Sequence, residues 1–166
     1  DSNRQFVLPY EYRRQAVFYR TTEAPGTIIV NTHDRFLYLV QGDNRAIRYG
    51  IAVGRAGVEW SGEAVVTEKK PWPTWTPPKE MIARSPEKAK WANGMPGGPD
   101  NPLGARALYL FQNGQDTLFR IHGTTEPKSI GTNASSGCIR MINQDVVQLF
   151  RRAPIGARVV VLVEGV

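Results

Sequence analysis

Short apolar runs separated by turn residues constrain the fold of this chain most. Seven runs rich in β-branched and aromatic residues, each four to eight residues long, predict β-strands. The runs are Thr27–Asn31, Phe36–Gln41, Ala46–Val53, Ala64–Thr67, Arg106–Phe111, Leu118–His122 and Arg158–Val163. Turn signals stand at Pro25-Gly26, Gly42-Asp43-Asn44 and Asn113-Gly114, and the second of them predicts a hairpin. The pattern predicts a mainly β fold, a sandwich or barrel with a few short helices.

Two segments break this pattern and predict helices. Glu80–Asn93 is rich in helix-forming residues, follows the Pro77-Pro78 pair and ends before Gly94. The second predicted helix begins at Asn143, whose side chain is expected to cap it. Both helices are expected to be minor parts of the fold.

The length and the uneven composition suggest how the chain is organised. A chain of 166 residues is expected to form a single domain, residues 1–166, in which residues 1–26 are an N-terminal extension. Residues 68–104 carry most of the prolines and three of the four tryptophans, which predicts a lid-like insertion or substrate wall. The alternative is that Trp72, Trp75 and Trp91 simply pack over a sheet edge.

Charge and hydropathy limit the partners of the chain. No apolar run approaches the ~20 residues of a membrane span, so no membrane-spanning helix is expected. The chain opens without an initiator Met or an apolar leader, which is typical of a processed form. The net charge of +6 favours polyanionic partners, but the basic residues occur only as isolated pairs, without an RNA-binding or zinc-finger pattern. Nucleic-acid binding is therefore not expected.

The single cysteine, Cys138, is either a small buried hydrophobe or a working thiol. It excludes an internal disulfide and a cysteine-based zinc site, and no metal or other cofactor is predicted. A thiol near its ordinary pKa of ~8.5 needs an imidazole or a cation to stabilise its thiolate. Of the two histidines, His33 precedes Asp34 in a predicted turn, so His122 is the preferred base.

Two glycines beside these residues suit nucleophilic chemistry. The Gly123 carbonyl is free to accept a hydrogen bond from the second imidazole nitrogen and so to fix the tautomer of His122. Gly137 would let the backbone approach a substrate closely, while amides around Cys138 could donate to a developing oxyanion.

These residues form a longer motif. His122-Gly123-Thr124 is followed by Ile130-Gly131, by the run Ser135-Ser136-Gly137-Cys138-Ile139-Arg140 and by Asn143 and Asp145, with sixteen positions from His122 to Cys138. This arrangement resembles the L,D-transpeptidase (YkuD-domain) family. The resemblance extends through Asn101-Pro102-Leu103-Gly104, Val53-Gly54-Arg55 and the Phe36–Leu39 strand, roughly residues 27–163. Many family members have His where this chain has Ser136. A supporting group beside the nucleophile is therefore expected to be absent here, while the pair of Cys138 and His122 is kept.

The resemblance implies roles for individual residues. Cys138 would be the nucleophile, His122 the base and Gly123 its orienting partner. The implied substrate-binding residues are Arg140, Ser135, Ser136, Gly137, Thr124, Tyr109, Trp72 and Trp75. Three of them have structural alternatives: Arg140 an ion pair with Asp145 or a helix end, Ser135 a hydrogen-bonding strut, and Thr124 the ordering of its loop.

The resemblance also implies an exported enzyme that acts on peptidoglycan stem peptides in the periplasm or cell wall. Its thioester would pass to an amine of another stem or of an outer-membrane or wall-anchored protein, and carbapenem-type compounds would inhibit it. The alternatives are transfer to water, giving a carboxypeptidase or hydrolase, and a non-catalytic wall-binding module.

Overall fold

The computed structural model describes residues 6–58, 60–134 and 137–162. Its strands are β1 (Gln15–Phe18), β2 (Ile28–Asn31), β3 (Phe36–Gly42), β4 (Arg45–Gly50), β5 (Ala52–Val53), β6 (Gly62–Pro71), β7 (Arg106–Gln112), β8 (Gln115–His122), β9 (Ile139–Arg140) and β10 (Arg158–Val161). Its helices are α1 (Arg55–Val58), α2 (Lys79–Arg84) and α3 (Asn143–Arg152), with 3₁₀ turns at Tyr10–Tyr12, Pro86–Trp91 and Pro127–Ser129. The predicted mainly β fold with a few short helices is confirmed.

The strands form one mixed sheet in the order β1-β4-β3-β2-β10-β6-β7-β8-β9-β5. β4 lies next to one edge of this order and β5 forms the other edge, yet only Ile51 separates them in the chain. One residue cannot cross a flat sheet of this width, because an extended residue spans at most about 3.6 Å. The sheet therefore curls until its two ends meet, as in a sandwich or barrel.

The interior of the curled sheet holds the main core. Leu37 and Tyr49 from one half of the sheet belong to the same buried cluster as Leu108 and Ile121 from the other half. Helix α3 closes one end and contributes the fully buried Leu149. Ile121 of β8 and Ile139 of β9 belong to this core, so the loop after β8 and the residue before β9 are held at fixed positions.

The segment predicted as an N-terminal extension contains a strand that the sequence analysis missed. β1 pairs antiparallel with β4, from Gln15 opposite Arg48 to Phe18 opposite Arg45. Its four residues alternate between half-buried and exposed, a pattern typical of an edge strand but too short to stand out in the sequence.

Strand β6 continues to Pro71, past the predicted end at Thr67. Lys69 and Lys70 extend the strand, and each has a partner on a neighbouring element, which for Lys70 is the Tyr109 ring on β7. The Lys69 ammonium donates to the carbonyls of Phe150 and Ala153 at the C-terminal end of α3, where helix carbonyls lack partners. The insertion therefore leaves the sheet after residue 71, not at residue 68.

The continuous helix predicted over Glu80–Asn93 is wrong. Helix α2 ends at Arg84, and a 3₁₀ helix runs over Pro86–Trp91. Pro86 has no amide hydrogen and disfavours a helical conformation at Ser85, whose φ and ψ are −135° and 80°. None of the helices in the described part of the chain has the length and apolar character needed to cross a membrane.

Candidate active site

Cys138 lies directly before β9, beside the end of β8. β8 and β9 run parallel, with Ile121 opposite Ile139 and His122 opposite Arg140. The Cys138 carbonyl accepts a hydrogen bond of 2.6 Å from the Gly54 amide. Cys138 is therefore held between β8 and the Gly54 segment, and it is buried, with 6% of its surface exposed.

His122 is buried and is a neutral base in this setting. Its Nδ1 lies 2.6 Å from the Gly123 carbonyl oxygen, which can only accept, so Nδ1 carries the proton. Nε2 is then unprotonated and accepts from the Cys138 backbone amide at 3.4 Å. The pKa of His122 is lowered to about 4, chiefly by burial; the bond to Gly123 opposes this shift, and the charges of Arg140 and Arg120 contribute to it.

Gly137 is required by the closeness of the imidazole. Its φ is +86°, and a Cβ at this position would lie 3.0 Å from His122 Nε2. Side chains rarely adopt this conformation and would crowd the ring. Glycine before the cysteine therefore brings the Cys138 amide against the imidazole.

The thiol of Cys138 lies beside strand β8. Cys138 Sγ donates to the Leu118 carbonyl at 3.8 Å. Burial raises the pKa of the Cys138 thiol, and the Arg120 amide and charge oppose this. Among the described contacts, none joins Sγ to the imidazole, so in this conformation His122 meets the cysteine through its backbone.

The loop after His122 is fixed by Asn143. The predicted cap is wrong, because no side-chain hydrogen bond caps α3 and the Asn143 side chain points elsewhere. Its Oδ1 accepts from the amides of Ala105 at 3.0 Å and Thr124 at 3.3 Å. A Cβ on Gly123 would lie 2.1 Å from the same oxygen, so a glycine is needed here. Asn143 thus holds the segment that carries the Gly123 carbonyl.

Arg140 is buried next to this loop. Its guanidinium binds the Glu126 carboxylate at 3.1 Å, and Glu126 lies on the loop that follows His122. The alternative partner considered for it, Asp145, lies 3.7 Å from Arg14. Burial raises the pKa of Asp145 to about 6, although Arg14 opposes this.

A group of charged residues on the sheet surface surrounds Tyr109. The Arg120 guanidinium lies 4.4 Å from the centre of the Tyr109 ring, and the Lys70 ammonium lies 5.3 Å from it. Arg120 also forms two bonds to Asp116, of 2.6 and 3.0 Å. Burial raises the pKa of Tyr109, so its hydroxyl is protonated at neutral pH.

An open cleft of about 570 Å³ adjoins the loop after the histidine. It is bounded by the N-terminal segment at Leu8, by Trp72 and Pro99 of the insertion and by Thr124. Trp72 is 50% exposed. Trp75 instead lies within the insertion, where its backbone pairs with Met95 and its ring faces Lys88. The two predicted wall residues thus differ in setting.

Ser135 and Ser136 lie outside the described residues. Within the ranges that the structure describes, no group of three or more His, Cys, Asp or Glu side chains is placed to hold a metal ion.

A sequence comparison identifies the family of this fold and site. The sequence model of the YkuD domain, described as the L,D-transpeptidase catalytic domain, matches residues 25–161. The chain belongs to this L,D-transpeptidase family. The probable L,D-transpeptidase YbiS of Escherichia coli strain K12 is 36% identical over 139 residues, which cover 81% of this chain and 43% of YbiS. The chain therefore spans less than half the length of this relative.

Solved structures agree with the fold. A structure described as a probable carnitine operon oxidoreductase from Brucella melitensis is 52% identical, with a TM-score of 0.66 over 93% of this chain and 96% of that one. L,D-transpeptidase 3 from Mycobacterium tuberculosis, in complex with a faropenem-derived adduct, is 17% identical, with a TM-score of 0.53 over 82% and 60% of the two chains. The second likeness concerns the fold alone.

The structure explains why the L,D-transpeptidase motif extends so far from the cysteine. Gly54 supplies the amide that binds the Cys138 carbonyl. Asn101 is fully buried, and its side-chain amide donates to the carbonyls of Pro73, Met95 and Pro96. The motif therefore fixes the cysteine loop and the base of the insertion.

Two residues beside the thiol, Leu118 and Arg120, were not predicted from the sequence. Leu118 contacts the thiol through its carbonyl and has a φ of +64° within a break in the β7–β8 register, and Arg120 lies next to Cys138 across the β8–β9 pairing. The sequence carries no signal for these contacts, because main-chain groups of any residue could make them.

Proposed function

We propose that this chain is a peptidoglycan L,D-transpeptidase in which Cys138 is the nucleophile and His122 is the base. One observation carries the proposal: His122 Nδ1 is bound to the Gly123 carbonyl, which leaves Nε2 as an unprotonated acceptor directed at Cys138. A base oriented by a third group beside a nucleophile is the recurring arrangement of acyl transfer. The family of the chain gives that arrangement its substrate class.

In the first half-reaction, Cys138 Sγ attacks the carbonyl carbon between the diamino acid and the terminal D-alanine of a tetrapeptide stem. The thiol proton passes to His122 Nε2, the C–N bond breaks and D-alanine leaves with that proton. Sγ must turn from the Leu118 carbonyl toward the imidazole for this step. Catalytic hydrogen bonds often tighten only when the substrate is bound.

In the second half-reaction, an amine attacks the thioester carbon, gives its proton to His122 and releases the thiol of Cys138. The amine belongs to another stem peptide or to an outer-membrane or wall-anchored protein. Water in place of the amine would make the enzyme a carboxypeptidase or a hydrolase. The reaction takes place in the periplasm or cell wall, where peptidoglycan is found.

Residues around the two reacting groups are proposed to bind the peptides. Tyr109 offers a ring on β7 beside Arg120 of β8, and Trp72 and Thr124 line the cleft. Arg140 orders the loop after His122 through Glu126 and is close enough to Gly137 to influence bound substrate. Ser135, Ser136 and Trp75 complete the proposed set.

The proposal extends to inhibitors that acylate the nucleophile. A mycobacterial relative of the same fold carries a faropenem-derived adduct, and a carbapenem is expected to form a one-to-one adduct here. A non-catalytic wall-binding module would not form one, so intact-protein mass spectrometry after carbapenem treatment separates the enzyme from that alternative.

The acceptor is decided by incubating the protein with purified peptidoglycan and analysing the muropeptides. New crosslinked dimers support transfer to a stem amine, protein-linked stems support anchoring, and tripeptides without dimers support transfer to water. Unchanged muropeptides, from a protein that does form the carbapenem adduct, would contradict the proposed substrate.

A further inference from the structure

Within the described residues, the thiol lies beside a part of β8 that has no pairing partner in β9. β9 begins only at Ile139, so no β9 residue pairs with β8 before Ile121. The Leu118 carbonyl projects toward this gap and accepts from Cys138 Sγ at 3.8 Å, and the parallel register of β8 and β9 brings Arg120 next to Cys138. Backbone groups of buried strands require partners, and here the nucleophile itself is the partner.

A bulge in β8 directs these groups at the thiol. The β7–β8 register shifts between Leu110 and Phe111, and Leu118 has a φ of +64° and a side chain that is 74% exposed. Asp116 stabilises the bulge by accepting from the Leu118 amide at 2.8 Å. Non-glycine residues in this conformation are strained, and bulges are common beside active sites, where they redirect a side chain.

The bulge also fixes the guanidinium of Arg120. Asp116 binds it through both carboxylate oxygens and Tyr109 lies beneath it, so the side chain is only 18% exposed. A cation fixed in this way needs no reorganisation when charge appears on a neighbouring atom.

The charged groups of the neighbouring elements do not take this role. On β8, His122 is neutral and its Nε2 is already bound to the Cys138 amide, while Asp116 partly offsets the charge of Arg120. On β9, Arg140 is paired with Glu126. The Arg120 charge lowers the pKa of the Cys138 thiol against the larger effect of burial.

We propose that Arg120 is a positioning residue that stabilises the thiolate of Cys138 through its backbone amide and its clamped guanidinium. The inference rests on the proposed role of Cys138 as nucleophile. It assigns thiolate stabilisation to a cation on the neighbouring strand, with His122 left to move protons as a neutral base.

The test is the pH dependence of Cys138 alkylation by iodoacetamide, an uncharged reagent. Arg120→Met should move the inflection up by about one pH unit and slow alkylation at pH 7 about tenfold, since one unit is a tenfold change in thiolate. Arg120→Lys keeps the charge and should move the inflection less than half as far. Asp116→Asn removes the counter-charge but keeps an acceptor for the Leu118 amide, so it should move the inflection down.

An unchanged inflection in Arg120→Met would overturn the inference. So would an upward shift in Asp116→Asn, because a purely structural role of the clamp predicts the same direction for both variants. Repeating the comparison in a His122→Gln background separates the thiol from the imidazole, whose pKa Arg120 also lowers. Alkylation needs no stem peptide. If the variants show these shifts but the wild-type protein forms no acyl-enzyme with a stem peptide, the proposed function is refuted and the role of Arg120 is not.

Discussion

Replacing Asn143 with alanine tests how the loop after His122 is held. The change removes the acceptor of the Ala105 and Thr124 amides, and both residues are buried. A buried donor left without a partner costs about 1–3 kcal/mol. With partial relaxation at each amide, we expect a loss of about 2–3 kcal/mol in the free energy of unfolding. In a chain of 150–250 residues this lowers the Tm by roughly 5–10 °C.

The consequence for catalysis follows from the same contacts. When the loop is released, the Gly123 carbonyl no longer fixes the Nδ1 proton of His122, so acylation of Cys138 should slow as well. Urea unfolding and carbapenem acylation kinetics measure the two effects. Asn143→Asp keeps an oxygen acceptor and should retain most of the stability, and Gln144→Ala, the exposed next position on α3, is the matched control for the unfolding measurement. The reasoning is refuted if Asn143→Ala unfolds like the control, or if Asn143→Asp is equally destabilised.

The remaining predictions concern the base and the cleft. His122→Ala should slow acylation near neutral pH by at least ~10²-fold, and a full-rate variant would place the base elsewhere. The pKa of His122 is lowered on folding from 6.5 to about 4, so the unfolded state binds the proton first and stability should fall as pH drops from 6.5 to 4. His122→Gln should lack this loss, whereas Asp145, with its pKa raised to about 6, contributes the opposite slope to both proteins. Trp72→Ala should slow turnover of a tetrapeptide donor far more than alkylation by iodoacetamide. Equal losses would indicate damage to the thiol, and melts of Trp72→Ala and Trp75→Ala report any loss of packing.

The mainly β fold could be predicted because most strands are apolar runs bounded by turn residues. The hairpin between β3 and β4, for example, turns at Asp43 and Asn44, which both have a positive φ. The short β9 could not be predicted, because its two residues show no periodicity. Its position depends on pairing with β5 and β8, which the local sequence does not encode.

The sequence could predict those parts of the candidate site that are reactive side chains, but not the contacts that position them. Cys138 is the only thiol and His122 one of two imidazoles, and the resemblance of their motif to the L,D-transpeptidase family is what implied a catalytic pair. The place of Asn143 at the start of a helix predicts a cap, but its side chain instead accepts from the amides of Ala105 and Thr124, which are distant in the sequence. Contacts made across the fold, such as that of Arg120 with the thiol, depend on strand order and a bulge that no local pattern predicts.

The central claim is that Cys138 forms a thioester with the stem peptide. Intact-protein mass spectrometry during turnover of a tetrapeptide donor tests it most directly, with Cys138→Ala as the matched variant. The wild-type protein should gain a mass equal to the donor minus D-alanine, mapped to the peptide that contains Cys138, and the variant should gain none. An adduct that persists in Cys138→Ala, or release of D-alanine without any adduct under conditions that trap a thioester, would contradict it.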